Sequence, residues 1–141
     1  MRGINEAALE ARLSKILDQS GLLNWHNDPE MYPGIPDRYV VGGNWIELKV
    51  EPSFQRTMAK IERQRAWLDK LTEAGDMTWV VALVKGKIGQ DPLLYAESWV
   101  TFKQRGPVYN TTKGTHPIFS YGELDLRLLK FADFVKSGFL K

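Results

Sequence analysis

Apolar residues recur at helical spacing at Leu9, Leu13, Ile16 and Leu17. Asn5 before them and Gly21 after them supply capping and stopping signals, so the spacing predicts a helix from about Glu6 to Gln19 with one buried face. The next stretch, LLNWHNDPEMYPGIPD, is rich in Pro, Gly, Asn and Asp and predicts a turn-laden approach to a strand. The pattern then changes: RYVVGGNWIELKV carries β-branched and aromatic residues on both sides of Gly42-Gly43, which predicts a β-hairpin. A long helix follows from about Phe54 to Ala74, stopped by Gly75, with Ile61, Leu68 and Leu71 on its inward stripe and Gln64 within that stripe. MTWVVALVK is an apolar strand expected at the centre of a sheet, and PLLYAESWVTF predicts one or two more strands. KQRGPVYNTTKGTH is a polar, basic loop too long for a simple connection. The last element predicted is a helix, GELDLRLLKFADFVKSG, with Leu124, Leu128, Phe131 and Val135 on one side.

The register of the hairpin decides which polar side chains can meet. A two-residue loop at Gly42 and Gly43 pairs Asp37 with Leu48 and sends Asp37 to the face opposite Glu47 and Lys49. A three-residue loop, Gly42 to Asn44, pairs Tyr39 with Glu47 and Asp37 with Lys49. It gathers Asp37, Glu47 and Lys49 on one face and leaves Ile46, Leu48 and Val50 on the other. The three-residue loop, or an equivalent bulge, is the expected one; a structure with Asp37 and Glu47 on opposite faces would remove the site.

A chain of 141 residues falls in the range of one domain, with 43% apolar and 26% charged residues, as in an ordinary globular protein. A single domain over residues 1–141 is expected, with a core at about 5–85 and a C-terminal part at 86–141. There are no cysteines and two histidines, which excludes thiolate zinc sites and cysteine nucleophiles and makes a histidine-rich metal site a poor fit. Metal chemistry must then rest on carboxylates, and oxygen donors favour Mg²⁺ or Mn²⁺. A net charge of +2 announces no polyanion partner, so any basic surface must be local. The N-terminal sequence lacks the apolar core of a signal peptide and no apolar run spans a bilayer, so no membrane association and a cytoplasmic location, bacterial or in a phage-infected host, are expected.

Phosphodiester hydrolysis needs an activated water and positive charge against the transition state. Carboxylates holding a divalent cation, with a lysine beside them, supply both. At Pro36-Asp37 followed by Glu47-Leu48-Lys49 the sequence resembles the PD-(D/E)xK nuclease superfamily. G-I-P-D, I-E-L-K and Q-R-A-W-L-D-K-L-T-E-A-G are similar to the virus-type replication-repair nuclease domain, VRR-NUC. The resemblance covers roughly Leu9 to Val84. It implies an α/β restriction-endonuclease-like core in α-β-β-α-β order, a mixed sheet flanked by helices, with one or two Mg²⁺ or Mn²⁺ ions. It makes Asp37 the central metal ligand, Glu47 a second ligand, Lys49 the water-orienting or charge-stabilising residue, and Gln64 an auxiliary group, while strand alternation sets the Leu48 backbone carbonyl between Glu47 and Lys49 as a candidate further ligand. A-L-E-A-R-L-S-K-I-L resembles the first helix of phage resolvase-like nucleases and implies Glu10 as a further acid, ahead of Glu6 on the same helical face.

Arg38, Lys60, Arg63, Arg65, Lys103, Arg105 and Lys113 are candidates for phosphate contacts. A chain this small has little surface for a long DNA footprint, so a homodimer acting on branched DNA such as Holliday junctions, in replication, recombination or repair, is expected by analogy. Each residue also has a plainer reading: Asp37 as a turn residue after Pro36, Glu47 and Lys49 as a solvated strand face, Gln64 and Glu10 as helix-surface residues. A catalytically idle nucleic-acid-binding module of the same fold, or a phage structural or assembly protein, are the alternatives. Mg²⁺-independent binding would mark the first, and failure to bind any nucleic acid the second.

Overall fold

The computed structural model describes residues 3–30, 32–105 and 115–138. Its element order is α1 (Glu6–Gln19), β1 (Asn24–His26), β2 (Arg38–Val40), β3 (Asn44–Glu51), α2 (Phe54–Ile61), α3 (Arg65–Glu73), β4 (Met77–Val84), β5 (Leu93–Ser98), α4 (Trp99–Lys103), β6 (Thr115–Pro117) and α5 (Tyr121–Gly138). The six strands form one mixed sheet in sequential order. The β3–β4 pair is parallel and every other pair antiparallel. A parallel pair needs a long crossover, and α2 and α3 provide it. No helix among the described residues is long and apolar enough to cross a membrane.

Helix α1 runs over the predicted residues, and the Asn5 side chain accepts a hydrogen bond from the Ala8 amide at its start. Its Leu9, Leu13 and Leu17 pack with Ile46, Leu48, Val81, Leu83 and Leu94 of one sheet face and with Leu124, Leu128 and Phe131 of α5. The other face carries Val80, Ala82, Val84 and Tyr95 against Phe54, Ile61, Leu68, Trp99 and Phe102. Strand β4 is buried on both faces, which is why it reads as a continuous apolar run. The C-terminal third extends the sheet with β5 and β6 and covers it with α4 and α5.

The hairpin loop has the expected three residues, but they are Val41, Gly42 and Gly43 rather than Gly42 to Asn44. Val40 pairs with Asn44, Tyr39 with Trp45 and Arg38 with Ile46. Two interactions pull Asn44 into the strand: it opens the parallel ladder opposite Met77, and its Oδ1 accepts the Trp79 indole N–H at 2.9 Å. On the other side, the Val41 amide bonds to the Leu23 carbonyl. The turn then falls to the two glycines at φ 106° and 83°, where a side chain would be strained. At Gly43 an added Cβ would also lie 2.9 Å from Asp76 Oδ1.

Three other expectations change, the first in PLLYAESWVTF, where a strand ends at Ser98 and the Ser98 side chain caps a helix over Trp99–Lys103 in place of further strand. The predicted helix over residues 54–74 breaks at a 3-10 turn, Glu62–Gln64. The stretch 24–26, read as part of a turn-rich approach, is an edge strand beside β2. The break follows from tertiary contact. Trp67 Nε1 donates to the Pro33 carbonyl at 2.9 Å, and Gly34 lies against Trp67 and the Arg63 backbone, so α3 is turned to seat the loop that leads to Asp37.

Candidate active site

Extending the β2–β3 register by one residue puts Asp37 across from Glu47, so the two share a face with Lys49. The one-residue displacement of the loop therefore changes Asp37's partner from Lys49 to Glu47 and keeps all three side chains together. Asp37 is held from both sides. Its carbonyl accepts the Asn27 amide at 2.8 Å, and the Asn27 side chain bonds to the Pro36 carbonyl at 2.9 Å. Its carboxylate Oδ2 accepts the Leu48 amide at 2.8 Å. In a strand the N–H and C=O of one residue point to the same side. The Leu48 carbonyl therefore lies on the Asp37 side of β3.

Glu47 is 1% exposed, and Lys49 Nζ lies 2.8 Å from its Oε2. Among the described residues neither Glu47 oxygen accepts a well-directed hydrogen bond, the Lys49 contact being one of charge. Burial, followed by the nearby Asp37 charge, raises the Glu47 pKa from 4.5 to about 8. Burial also raises Asp37, with Glu10 adding to it and the Leu48 amide and Lys49 opposing. For Lys49, burial works against the charge, but Glu47, Glu6 and Asp37 outweigh it and its pKa is raised. The site thus crowds anions that a single buried lysine does not satisfy.

Of the two glutamates on α1, Glu6 is the one at Lys49, with Oε1 3.9 Å from Nζ. Burial raises its pKa, and the charges of Asp37 and Glu51 act in the same direction. Glu10 Oε2 instead receives Arg38 Nη1 at 2.9 Å and His26 Nδ1 at 2.8 Å. Gln64 sits in the 3-10 turn with its Oε1 buried and unpartnered among the described residues. Glu51 was missed by the sequence reading. It is buried on the same face of β3 as Glu47 and Lys49, with Lys60 Nζ 3.0 Å away. Strand alternation beyond Lys49 was the signal that could have found it.

Among the described residues no three His, Cys, Asp or Glu side chains form a ready metal cluster. The available donors are the Asp37 and Glu47 carboxylates and the Leu48 carbonyl. All are hard oxygens, and that set fits Mg²⁺ or Mn²⁺ with water filling the remaining positions. The Glu47 oxygens, which have the Lys49 ion pair but no well-directed hydrogen bond among the described residues, and the raised carboxylate pKa values fit a cation at the same place.

The candidate phosphate contacts are mostly engaged with neighbours. Arg38 is buried, with Nε on Asn24 Oδ1, Nη1 on Glu10 and Nη2 on Ser14 Oγ. Arg105 lies 2.6 Å from Glu97, both side chains largely buried. Lys60 pairs with Glu51, and Arg65 with Glu62. Lys103 pairs with Asp69, and the charged groups of Arg65 and Lys103 both lie over the Trp99 ring. Arg63 is exposed beside the Gly34 turn. Lys113 and most of its basic loop lie outside the described residues. Comparison of the chain with protein-family models, curated proteins and solved structures finds no match.

Proposed function

We propose that this protein is a divalent-metal-dependent endonuclease of the PD-(D/E)xK type, hydrolysing DNA phosphodiester bonds with Asp37, Glu47 and Lys49. The observation that carries the reading is the convergence of these side chains: Asp37 opposite Glu47, with Lys49 Nζ 2.8 Å from Glu47 on the same strand face. In this reading the mixed sheet with helices on both faces is a restriction-endonuclease-like core of the VRR-NUC kind.

Asp37, Glu47 and the Leu48 carbonyl would hold Mg²⁺ or Mn²⁺, which supplies Lewis-acid polarisation of the phosphate and a more acidic water. Asp37 is fixed for this role because the Leu48 amide occupies Oδ2 and sets the carboxylate plane. Lys49 is kept protonated by its acidic neighbours, so it serves as a donor and a positive charge toward a water and the phosphoryl oxygens, not as a base. Glu6 borders the same group and steers the Lys49 ammonium. Gln64 offers an amide for an ordered water. A homodimer acting on branched DNA in the cytoplasm is the arrangement that best suits so small a chain.

The test is incubation of the purified protein with a four-way junction, a linear duplex and single-stranded DNA in Mg²⁺, Mn²⁺ or EDTA, beside Asp37→Ala. Metal-dependent cutting, strongest on the junction and absent from the variant, is the expected result. Cutting in EDTA, or undiminished cutting by Asp37→Ala, would overturn the mechanism.

A further inference from the structure

Across the sheet from the Asp37 site, α5 and the outer strands enclose a second feature. A cavity of about 230 Å³ is lined by Leu94, Ala96, His116, Arg127, Lys130, Phe131 and Phe134. Leu94 pairs with His116 across β5 and β6, so both lie on the face that α5 covers. Arg127, Lys130, Phe131 and Phe134 follow at spacings of three, one and three along α5, which sets them on one side of the helix. This is the face opposite Glu47 and Lys49, and two strands away from them.

The charge here is one-sided. Among the described residues neither Arg127 nor Lys130 has a carboxylate within ion-pair distance. Among the described residues Arg127 Nε is buried with no hydrogen-bond partner, an unmade bond that a ligand would satisfy. His116 feels the same imbalance: burial lowers its pKa, Arg127 and Lys130 lower it further, and Glu123 is the carboxylate that opposes them. Two cations, one of them with a guanidinium N–H unpartnered among the described residues, and a histidine at one small apolar-walled cavity form a recess for an anion. A guanidinium with a free N–H matches the spaced oxygens of phosphate better than a single-point acceptor.

We propose that this cavity binds the phosphate group of a small phosphomonoester, with Arg127 and Lys130 as its cationic contacts and His116 as a third donor. The volume is below the roughly 300 to 1,000 Å³ of pockets that enclose drug-sized ligands, so it admits the phosphate and little more. The remainder of the ligand meets Phe134, whose ring is 69% exposed at the rim.

The probes are inorganic phosphate and adenosine 5′-monophosphate, titrated into the full chain in metal-free buffer with the His116 ring followed by NMR. Saturable binding is expected, with the His116 titration midpoint moving up, since a bound anion stabilises the imidazolium. Adenosine monophosphate is expected to bind more tightly than phosphate. Arg127→Gln is expected to weaken both by about tenfold or more, and the surface change Lys130→Ala by a smaller factor. Unaltered thermal unfolding of both variants in phosphate-free buffer guards against misfolding. No saturable change up to about 20 mM of either probe, or equal affinity in both variants and the parent, would overturn the proposal. A duplex oligonucleotide moving His116 when neither probe does would also overturn it, because the recess would then be reading a nucleic-acid backbone.

Discussion

Glu47→Gln is expected to abolish DNA cleavage while making the metal-free protein more stable at pH 8. Gln keeps the shape of Glu47 but cannot offer an anionic oxygen, and loss of one of two carboxylate ligands should lower the rate by about a thousandfold, or ~4 kcal/mol of transition-state stabilisation. The stability effect has the opposite sign. The Glu47 pKa rises from an ordinary 4.5 to about 8 in the fold, so between those values the folded protein keeps a proton that the unfolded chain has lost. Stability must therefore fall as pH rises from about 4.5 to 8 and then level off, by an amount of the order of 4 kcal/mol. Asp37 and Glu6, also raised, add in the same direction. Lys49, raised from 10.5, holds its contribution through this window. Urea unfolding in EDTA at pH 5 and pH 8 measures the slope: steep in the parent, shallow in Glu47→Gln, and offset in the parent by Mn²⁺. A variant that cuts within tenfold of the parent would remove Glu47 from the metal.

Arg38→Met is expected to destabilise the fold by about 3 kcal/mol. The Arg38 guanidinium binds Asn24, Glu10 and Ser14 at 2.9 to 3.0 Å, joining α1 to the β1–β2 edge, and its side chain is 10% exposed. Hydrogen bonds to a charged group contribute about 1.5 to 3 kcal/mol each when buried; the figure is kept low because Glu10 is 21% exposed and can rehydrate. Arg38→Lys should recover little, since a point charge cannot reach three separated acceptors. Urea unfolding measures both. Unchanged stability together with weaker DNA binding would return Arg38 to the phosphate contacts considered from sequence.

The hydrophobic periodicity of α1 and α5 was strong enough to read because each lays a regular apolar face on the sheet, and β4 was legible as an unbroken apolar run because both of its faces are buried. Parity along the hairpin was also legible, since Gly42-Gly43 limits the turn to a few forms. The placement of that turn was not. It depends on Asn44 meeting the Trp79 indole, a residue on a strand far along the chain. The break at Glu62–Gln64 contains neither Pro nor Gly and arises from Trp67 and Arg63 meeting Pro33 and Gly34. The choice between Glu6 and Glu10 was closed to spacing arguments, because both lie on one face of α1. The structure separates them by their partners, Lys49 for Glu6 and Arg38 with His26 for Glu10.

The bond from the Leu48 amide to Asp37 gives the site a built-in reporter. That proton belongs to the backbone of a residue with no ionisable side chain, on a strand packed on both faces, yet its acceptor is the carboxylate proposed to hold the cation. Its chemical shift and its exchange with solvent deuterium therefore register the charge on Asp37 directly. One backbone resonance can follow loading of the centre while the protein remains untouched by mutation.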